Sequence, residues 1–364
     1  MEIKEFRIDV PQADLDDLRE RLGRTRWPSE IPGQGWSRGV PTGYLRELAA
    51  YWMERYDWRA HEARLNSLPQ FTTEIDGANV HFVHVRSPRE DATPLILTHG
   101  WPGSIVEFLD VIEPLSQDFH LVIPSIPGYG FSGPTGAAGW DLKRVARAWA
   151  ELMSRLGYER YGAQGGDWGS GISRELGIAE PERVIGVHLN FLLTFPFGDL
   201  SQLSEEDQAR LAEYEAFDDR SGYLRIQATR PQTLAYGLHD SPVGQLAWIV
   251  EKFKEWTDSK DVPEEAVDRD LLLTNVMIYW LTGTAGSSAQ LYYEFGKSWS
   301  MPERLEVPTG IAVFPRENAK PVRALAEMTN AIVHWSEFDR GGHFAAMEEP
   351  DLLVADIKAF FSRI

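Results

Sequence analysis

Gly165, Asp167 and Gly169 stand in the spacing Gly-x-Asp-x-Gly within the stretch Tyr161 to Gly171. That spacing is the format of a nucleophile elbow, a sharp strand-to-helix turn that lifts one side chain into an exposed, strained position. The flanking residues must be small because the backbone folds back on itself, and glycine has no Cβ to clash. The lifted residue here is aspartate, where serine is the usual occupant. A carboxylate in that seat attacks carbon directly and leaves an alkyl ester, which suits a substrate with a strained ring or a good leaving group. The plainer alternative is that Asp167 only caps the helix that follows. The rest of the chain decides between them.

An ester at Asp167 needs a base to activate water. The chain order of elbow enzymes is nucleophile, acid, histidine. His343, in Asp339-Arg340-Gly341-Gly342-His343-Phe344, follows a strand pattern and sits in a glycine loop that can reach over a sheet edge. It is the only one of nine histidines in this setting. His334 precedes it on the strand and reads as structural or surface, while His81 and His84 lie in an early hairpin. The acid belongs at the end of the preceding strand, where Phe314-Pro315-Arg316-Glu317 supplies Glu317. A carboxylate there fixes the imidazole tautomer and stabilises the imidazolium. Asp339 and Asp199 are the competing acids.

Two backbone N–H groups must receive the oxyanion. One belongs to the residue after the nucleophile, Trp168, and the other to the turn after an early strand. His99-Gly100-Trp101-Pro102-Gly103-Ser104 provides that turn, with Trp101 as the second donor. His99 and Pro102 fix the loop and are expected beside the substrate. His99 as the base is a rival, disfavoured because the base belongs late in the chain.

The elements that must position these groups follow from the hydrophobic period. Leu95–Thr98, Leu121–Pro124, Val184–Leu189, Gly310–Phe314 and Ile332–Trp335 are short apolar runs, the pattern of parallel strands buried on both faces. Phe71–Ile75 and Val80–Val85, joined by Asp76-Gly77, read as a hairpin. Helical patterns fall at Asp14–Leu22, Thr42–Tyr56, Ser104–Leu115, Asp141–Leu156 and Leu352–Phe361. The alternation implies an α/β, mostly parallel, doubly wound sheet. Four segments result: a helical arm at 1–70, a first core part at 71–192, a helical insertion at 193–300 and a second core part at 301–364. The insertion, with helices at Ser204–Phe217, Gly244–Thr257 and Asp268–Leu281, is expected to form a lid over the strand ends, where ligands bind in such sheets. The arm, with Trp27 and Trp36 in a Pro/Gly-broken loop, cannot bury its aromatics alone and is expected to wrap the next segment.

Composition narrows the class. The net charge of −19 opposes nucleic acid and anionic membrane surfaces, since phosphate would be repelled. With no cysteine, disulfides, thiol chemistry and cysteine-ligated zinc are excluded. No run of about 18 apolar residues occurs, which points to a soluble cytoplasmic protein. The 13 tryptophans point to a bulky aromatic core or an apolar ligand pocket.

His99-Gly100-Trp101-Pro102, Gly166-Asp167-Trp168-Gly169-Ser170, Phe314-Pro315-Arg316-Glu317 and Arg340-Gly341-Gly342-His343-Phe344-Ala345-Ala346 together resemble the microsomal-type epoxide hydrolases of the α/β-hydrolase superfamily. Arg26-Trp27-Pro28 is similar to that family's N-terminal region, so the resemblance spans nearly the whole chain. The membrane anchor of the animal members has no counterpart in these residues, so association with a membrane is not expected. The resemblance implies the α/β-hydrolase fold, no cofactor and no metal, and an apolar epoxide and water as reactants. It also implies two lid tyrosines that hold the epoxide oxygen. Tyr223, in Ser221-Gly222-Tyr223, matches the first; Tyr292, in Ala289-Gln290-Leu291-Tyr292, matches the second, with Tyr293 beside it as a competitor and further substrate contact. A tyrosine hydroxyl is apt because it donates to a developing alkoxide without being charged beforehand.

The reading is therefore an epoxide hydrolase with Asp167, His343, Glu317, Tyr223 and Tyr292 as its chemistry. A haloalkane dehalogenase shares the aspartate elbow, and the tryptophan beside the nucleophile can hold halide. A ligand-binding homologue without turnover would have lost a triad member, and none is missing. Substrate size, a detoxifying or biosynthetic role, and oligomeric state, a homodimer included, stay open at this level.

Overall fold

The structure is a computed structural model that describes residues 2–196, 200, 203–216 and 220–364. Nine strands form one sheet: β1 (Lys4–Phe6), β2 (Gln70–Ile75), β3 (Ala78–Val85), β4 (Thr93–Thr98), β5 (Phe119–Pro124), β6 (Tyr161–Gly165), β7 (Val184–Leu189), β8 (Leu305–Val313) and β9 (Asn330–Glu337). Their spatial order is β1-β2-β3-β5-β4-β6-β7-β8-β9. The pairs from β1 to β5 across β2 and β3 are antiparallel, and those from β5 to β9 are parallel. This is the α/β-hydrolase fold expected from the sequence. Leu95, Ile96 and Leu97 of β4 and Leu121, Val122 and Ile123 of β5 are wholly buried, which is why these runs are apolar without alternation.

From β4 the chain crosses one way to β5, then returns to the other side of β4 for β6. That reversal opens a crevice at the carboxyl ends of β4 and β6, the place where open parallel sheets bind ligands. The loop 99–104 leaves β4 there, and the helix Asp167–Ala179 leaves β6.

β1 is not evident in the sequence, being three residues that gain strand form only by pairing Lys4 to Phe6 with Thr72 to Gln70. The helix expected at Ser104–Leu115 is a short 3-10 turn, Ile105–Phe108, followed by a helix at Leu109–Ser116. The Ser104 hydroxyl opens that turn by accepting from the N–H of Val106 at 3.2 Å.

Seven helices lie between β7 and β8 among the described residues, from Glu205–Ala216 to Gln290–Ser298. The Asp268 carboxylate caps Arg269–Thr282 by accepting from the N–H groups of Asp270 and Leu271, both at 3.0 Å. That helix is pinned to the loop after β4: Asn275 Nδ2 donates to the Pro102 carbonyl and the Tyr279 hydroxyl to the Gly103 carbonyl, each at 2.7 Å. The N-terminal helices grip it from outside. Tyr51 donates to Asp270 at 2.9 Å, Tyr56 shares a 2.8 Å hydrogen bond with Thr274, and the Trp52 indole reaches Met277. Among the described residues no helix is long and apolar enough to cross a membrane.

Candidate active site

Asp167 has φ +47°, in the left-handed region that side chains other than glycine rarely enter. Its neighbours make that turn feasible. A Cβ on Gly165 would strike the Gly169 carbonyl, and one on Gly169 would strike the carbonyl of Thr98. The glycines of the motif are therefore required by close backbone approach, and the aspartate is held outward. Its Oδ1 accepts the N–H of Trp101 at 2.7 Å. The N–H of Trp168 belongs to the first turn of the helix, where backbone donors have no partner within the helix.

Asp167 Oδ2 lies 3.5 Å from His343 Nε2, and His343 Nδ1 donates to Glu317 Oε1 at 2.6 Å. The residues come from the ends of β6, β9 and β8 in turn. Two main-chain links hold the acid loop to the histidine loop: Arg316 N–H donates to the Gly341 carbonyl at 3.1 Å, and Arg316 bridges Gly342. His343 N–H donates to the Trp256 carbonyl at 2.8 Å, which ties the insertion to the same loop. Burial alone would lower the His343 pKa, but the Glu317 and Asp167 carboxylates outweigh it and hold the imidazole well above its ordinary value. Asp339 points to solvent, 90% exposed and 3.7 Å from Arg340. Asp199 lies outside the described residues.

Tyr223 and Tyr292 are both buried, with ring centroids 6.1 Å apart. The Trp101 ring stacks on Tyr223 at 5.3 Å and meets Tyr292 edge-on at 5.8 Å, so one side chain seats both. Burial, then the charge of Asp167 and other neighbours, pushes both phenols well above their ordinary pKa, keeping them as neutral donors. Neither hydroxyl has a hydrogen-bond partner among the described residues, whereas Tyr44, Tyr51, Tyr56 and Tyr279 each do. Lys252, absent from the sequence reading, is almost wholly buried with its ammonium 4.7 Å over the Tyr223 ring, between Glu251 at 2.6 Å and Glu255 at 2.8 Å.

Asp167, Trp168, Tyr223 and Tyr292 line one cavity of about 370 Å³. Much of the remaining wall is apolar, with Phe191, Leu193, Phe195, Leu224, Phe295 and Trp299 among it, while Lys143, Arg174, Glu175 and Glu303 stand elsewhere on the lining. Two roomier clefts, of about 830 and 570 Å³, lie away from Asp167. The expectation that His99, Pro102 and Tyr293 lie beside the substrate is not met by this cavity, because none of the three lines it. His99 is enclosed, with Nδ1 donating to the Gly100 carbonyl at 2.9 Å and Nε2 accepting from Ile126 at 3.2 Å. Burial lowers its pKa to about 4, so it is a neutral strut for the loop. Pro102 is covered by the insertion. The ring of Tyr293 is turned to Lys297, 5.3 Å away. The aromatic wall has no signature in the sequence, since Phe191-Leu192-Leu193-Thr194-Phe195 shows little beyond its largely apolar character.

Residues 3–108 match the family described as epoxide hydrolase N terminus, and residues 93–220 match the alpha/beta hydrolase fold. A Stigmatella aurantiaca relative is 48% identical, over 100% of this chain and 85% of its own length. Epoxide hydrolase 1 of rabbit, Oryctolagus cuniculus, is 36% identical over 98% of this chain and 88% of its own. The chain belongs to the epoxide hydrolase family. Solved epoxide hydrolase structures superpose along its whole length. The juvenile hormone epoxide hydrolase of Bombyx mori does so with a TM-score of 0.93 and 32% identity, covering 94% of that chain. The epoxide hydrolase of Aspergillus niger gives 0.89 and 34%, covering 97%.

Proposed function

We propose that this epoxide hydrolase opens apolar epoxides to vicinal diols through an ester on Asp167. The observation that carries the reading is the division of labour around one carboxylate. Oδ1 is held by the Trp101 N–H, Oδ2 faces His343, and two phenols without a hydrogen-bond partner among the described residues line the same cavity as Asp167.

Oδ2 attacks a ring carbon as the carbon–oxygen bond of the epoxide breaks. The departing oxygen takes a proton from Tyr223 or Tyr292. In the resting site the two carboxylates keep His343 protonated. Esterification removes the charge of Asp167, so His343 gives up its proton, which restores the tyrosine through solvent. The neutral imidazole then takes one proton from a water that attacks the ester carbon. The oxyanion forms on Oδ1, between the N–H groups of Trp101 and Trp168, where each donor contributes about 3 kcal/mol. Collapse breaks the acyl–oxygen bond, and the water's remaining proton passes to the leaving alkoxide. The carboxylate and the imidazolium are restored together. In this reading the insertion at 193–300 is a lid, and the arm at 1–70 braces it. The charge, the lack of cysteine and the lack of a long apolar segment support a cytoplasmic location.

One observation favours dehalogenation: the Trp168 indole N–H is buried without a partner among the described residues. Diol release from small and bulky aryl epoxides, measured beside halide release from chloro- and bromoalkanes, tests both readings. Faster halide release than diol release would reverse the order.

A further inference from the structure

Two buried carboxyl groups near His343 are pushed up to about 8, those of Glu107 and Glu348, burial being the main cause in each. Glu348 is committed to the main chain. It accepts from Asp258 N–H at 2.7 Å and Phe344 N–H at 3.0 Å, and the site charges acting on it are His343 and Glu317. Glu107 differs. It sits in the turn Ile105–Phe108, directly after the loop that carries Trp101, and both His343 and Asp167 act on its carboxyl.

The space Glu107 fills is created by a glycine. A Cβ on Gly103 would coincide with its Oε1, just as a Cβ on Gly100 would collide with Oδ1 of Asp167. The loop His99–Ser104 thus carries two glycines, each admitting one carboxyl group, and the turn that carries Glu107 packs against the helix Ala345–Glu348 that follows His343. Tyr279 donates to the Gly103 carbonyl and feels Glu107, Asp167 and Tyr129. The Tyr129 hydroxyl is buried with no partner among the described residues. An enclosed polar group of this kind, among other polar groups, is a place for a bound water.

Hydrolysis of the ester needs a water whose oxygen faces the acyl carbon while both hydrogens are held. His343 Nε2 takes one hydrogen, and no other member of the triad accepts the second. We propose that Glu107 seats the hydrolytic water by accepting its second hydrogen, so that it acts in ester hydrolysis and not in ring opening. This rests on Asp167 forming the ester. The water's first proton passes to His343. The second stays on the attacking oxygen, hydrogen-bonded to Glu107, until collapse delivers it to the leaving alkoxide. Glu107 ends the cycle in the protonation state in which it began.

Single-turnover kinetics with an aryl epoxide, read by intact mass and by diol release, separate the two half-reactions. The carboxamide of Glu107→Gln puts an NH2 donor in place of one carboxyl oxygen, so a water seated there loses an acceptor for its second hydrogen. Alkylation should stay within about twofold of the unaltered chain, while ester hydrolysis slows about tenfold or more and the adduct accumulates. Gly103→Ala, whose methyl group displaces the same carboxyl, should give the same split with Glu107 unchanged. Equal slowing of both steps would mean that Glu107 only braces the loop and would overturn the proposal, as would unchanged hydrolysis in Glu107→Gln. Failure of the underlying reading looks different: His343→Ala would then form no adduct on Asp167 at all.

Discussion

Two buried histidine–carboxylate clusters lie on this sheet, and they are built to opposite ends. His343 meets Glu317 and Asp167 beyond the strand ends, where the imidazole has one carboxylate on each ring nitrogen. On the face of the sheet, Asp356 of the helix Pro350–Phe361 accepts from His188 at 2.9 Å and His334 at 2.8 Å, and also from Ser336. His188 and His334 occupy one cross-strand row with Gly310 between them, and Phe360 packs over the missing side chain. Arg363 donates to Nδ1 of His334, which leaves the Nε2 hydrogen for Asp356. Asp356 thus accepts from three side-chain donors, and it does not line the cavity that holds Asp167. Its histidine and hydroxyl donors outweigh burial and lower its pKa to about 2. In the first cluster Asp167 is strained, lines a cavity and faces a base at 3.5 Å. The residue types are alike. What separates a reactive cluster from a clamp is whether the carboxylate opens onto a space where a reactant can sit.

The comparison can be broken from either side. His343→Ala should lower turnover by about 10³-fold, within the range of general-base effects, while the alkyl-enzyme accumulates in intact-mass spectra. A variant that neither alkylates nor turns over would give the histidine a different role. Changing Tyr223 and Tyr292 together to Phe should slow alkylation at least about 100-fold, because two donors to the leaving oxygen are lost. Full activity in that double variant would make them packing residues, and chemical unfolding should show little change in stability. Asp356→Asn should do the reverse, costing about 3 kcal/mol of stability through a broken buried cluster, with kcat of the folded enzyme unchanged. The pH dependence has a definite sign. The folded-state pKa of Asp356 is depressed to about 2, so its contribution, of about 2 kcal/mol, is present above the unfolded value near 4. It is lost as pH falls from there toward 2, and acid unfolding of Asp356→Asn should lack that component. The smallest effect expected is a contrast: Glu317→Gln should be impaired, less than His343→Ala, and Asp339→Asn within about twofold of normal. If Asp339→Asn is the more damaged, the acid is misassigned.

How much of this the sequence carried depends on what fixes each residue. Asp167, Glu317 and His343 follow strands, and a parallel sheet brings the carboxyl ends of its strands together, so knowing the strands nearly places the residues. The elbow glycines are legible because backbone contact leaves no other choice. Tyr223 and Tyr292 are different: they lie on separate helices, and tertiary packing, of those helices on each other and of both rings on Trp101, brings them to the same cavity. Local pattern does not encode that, and family resemblance supplied it. Lys252 and Glu107 left no trace in the sequence, since one depends on a ring above it and the other on an absent Cβ across the loop. The helix Trp58–Leu65, eight residues capped by Asp57, was too short for its period to stand out. Where the competing acid Asp339 lies could be settled only by coordinates, because its separation from His343 along the chain says nothing of its 90% exposure.

The central claim is that the oxygen added to the substrate comes first from Asp167. A single turnover in oxygen-18 water, with enzyme in excess over epoxide, tests it directly. The first diol should carry no label, the label should appear in the Asp167 carboxylate, and later turnovers should deliver it to product. A fully labelled diol in the first turnover, with Asp167 unlabelled, would mean that water attacks the ring itself and would contradict the account.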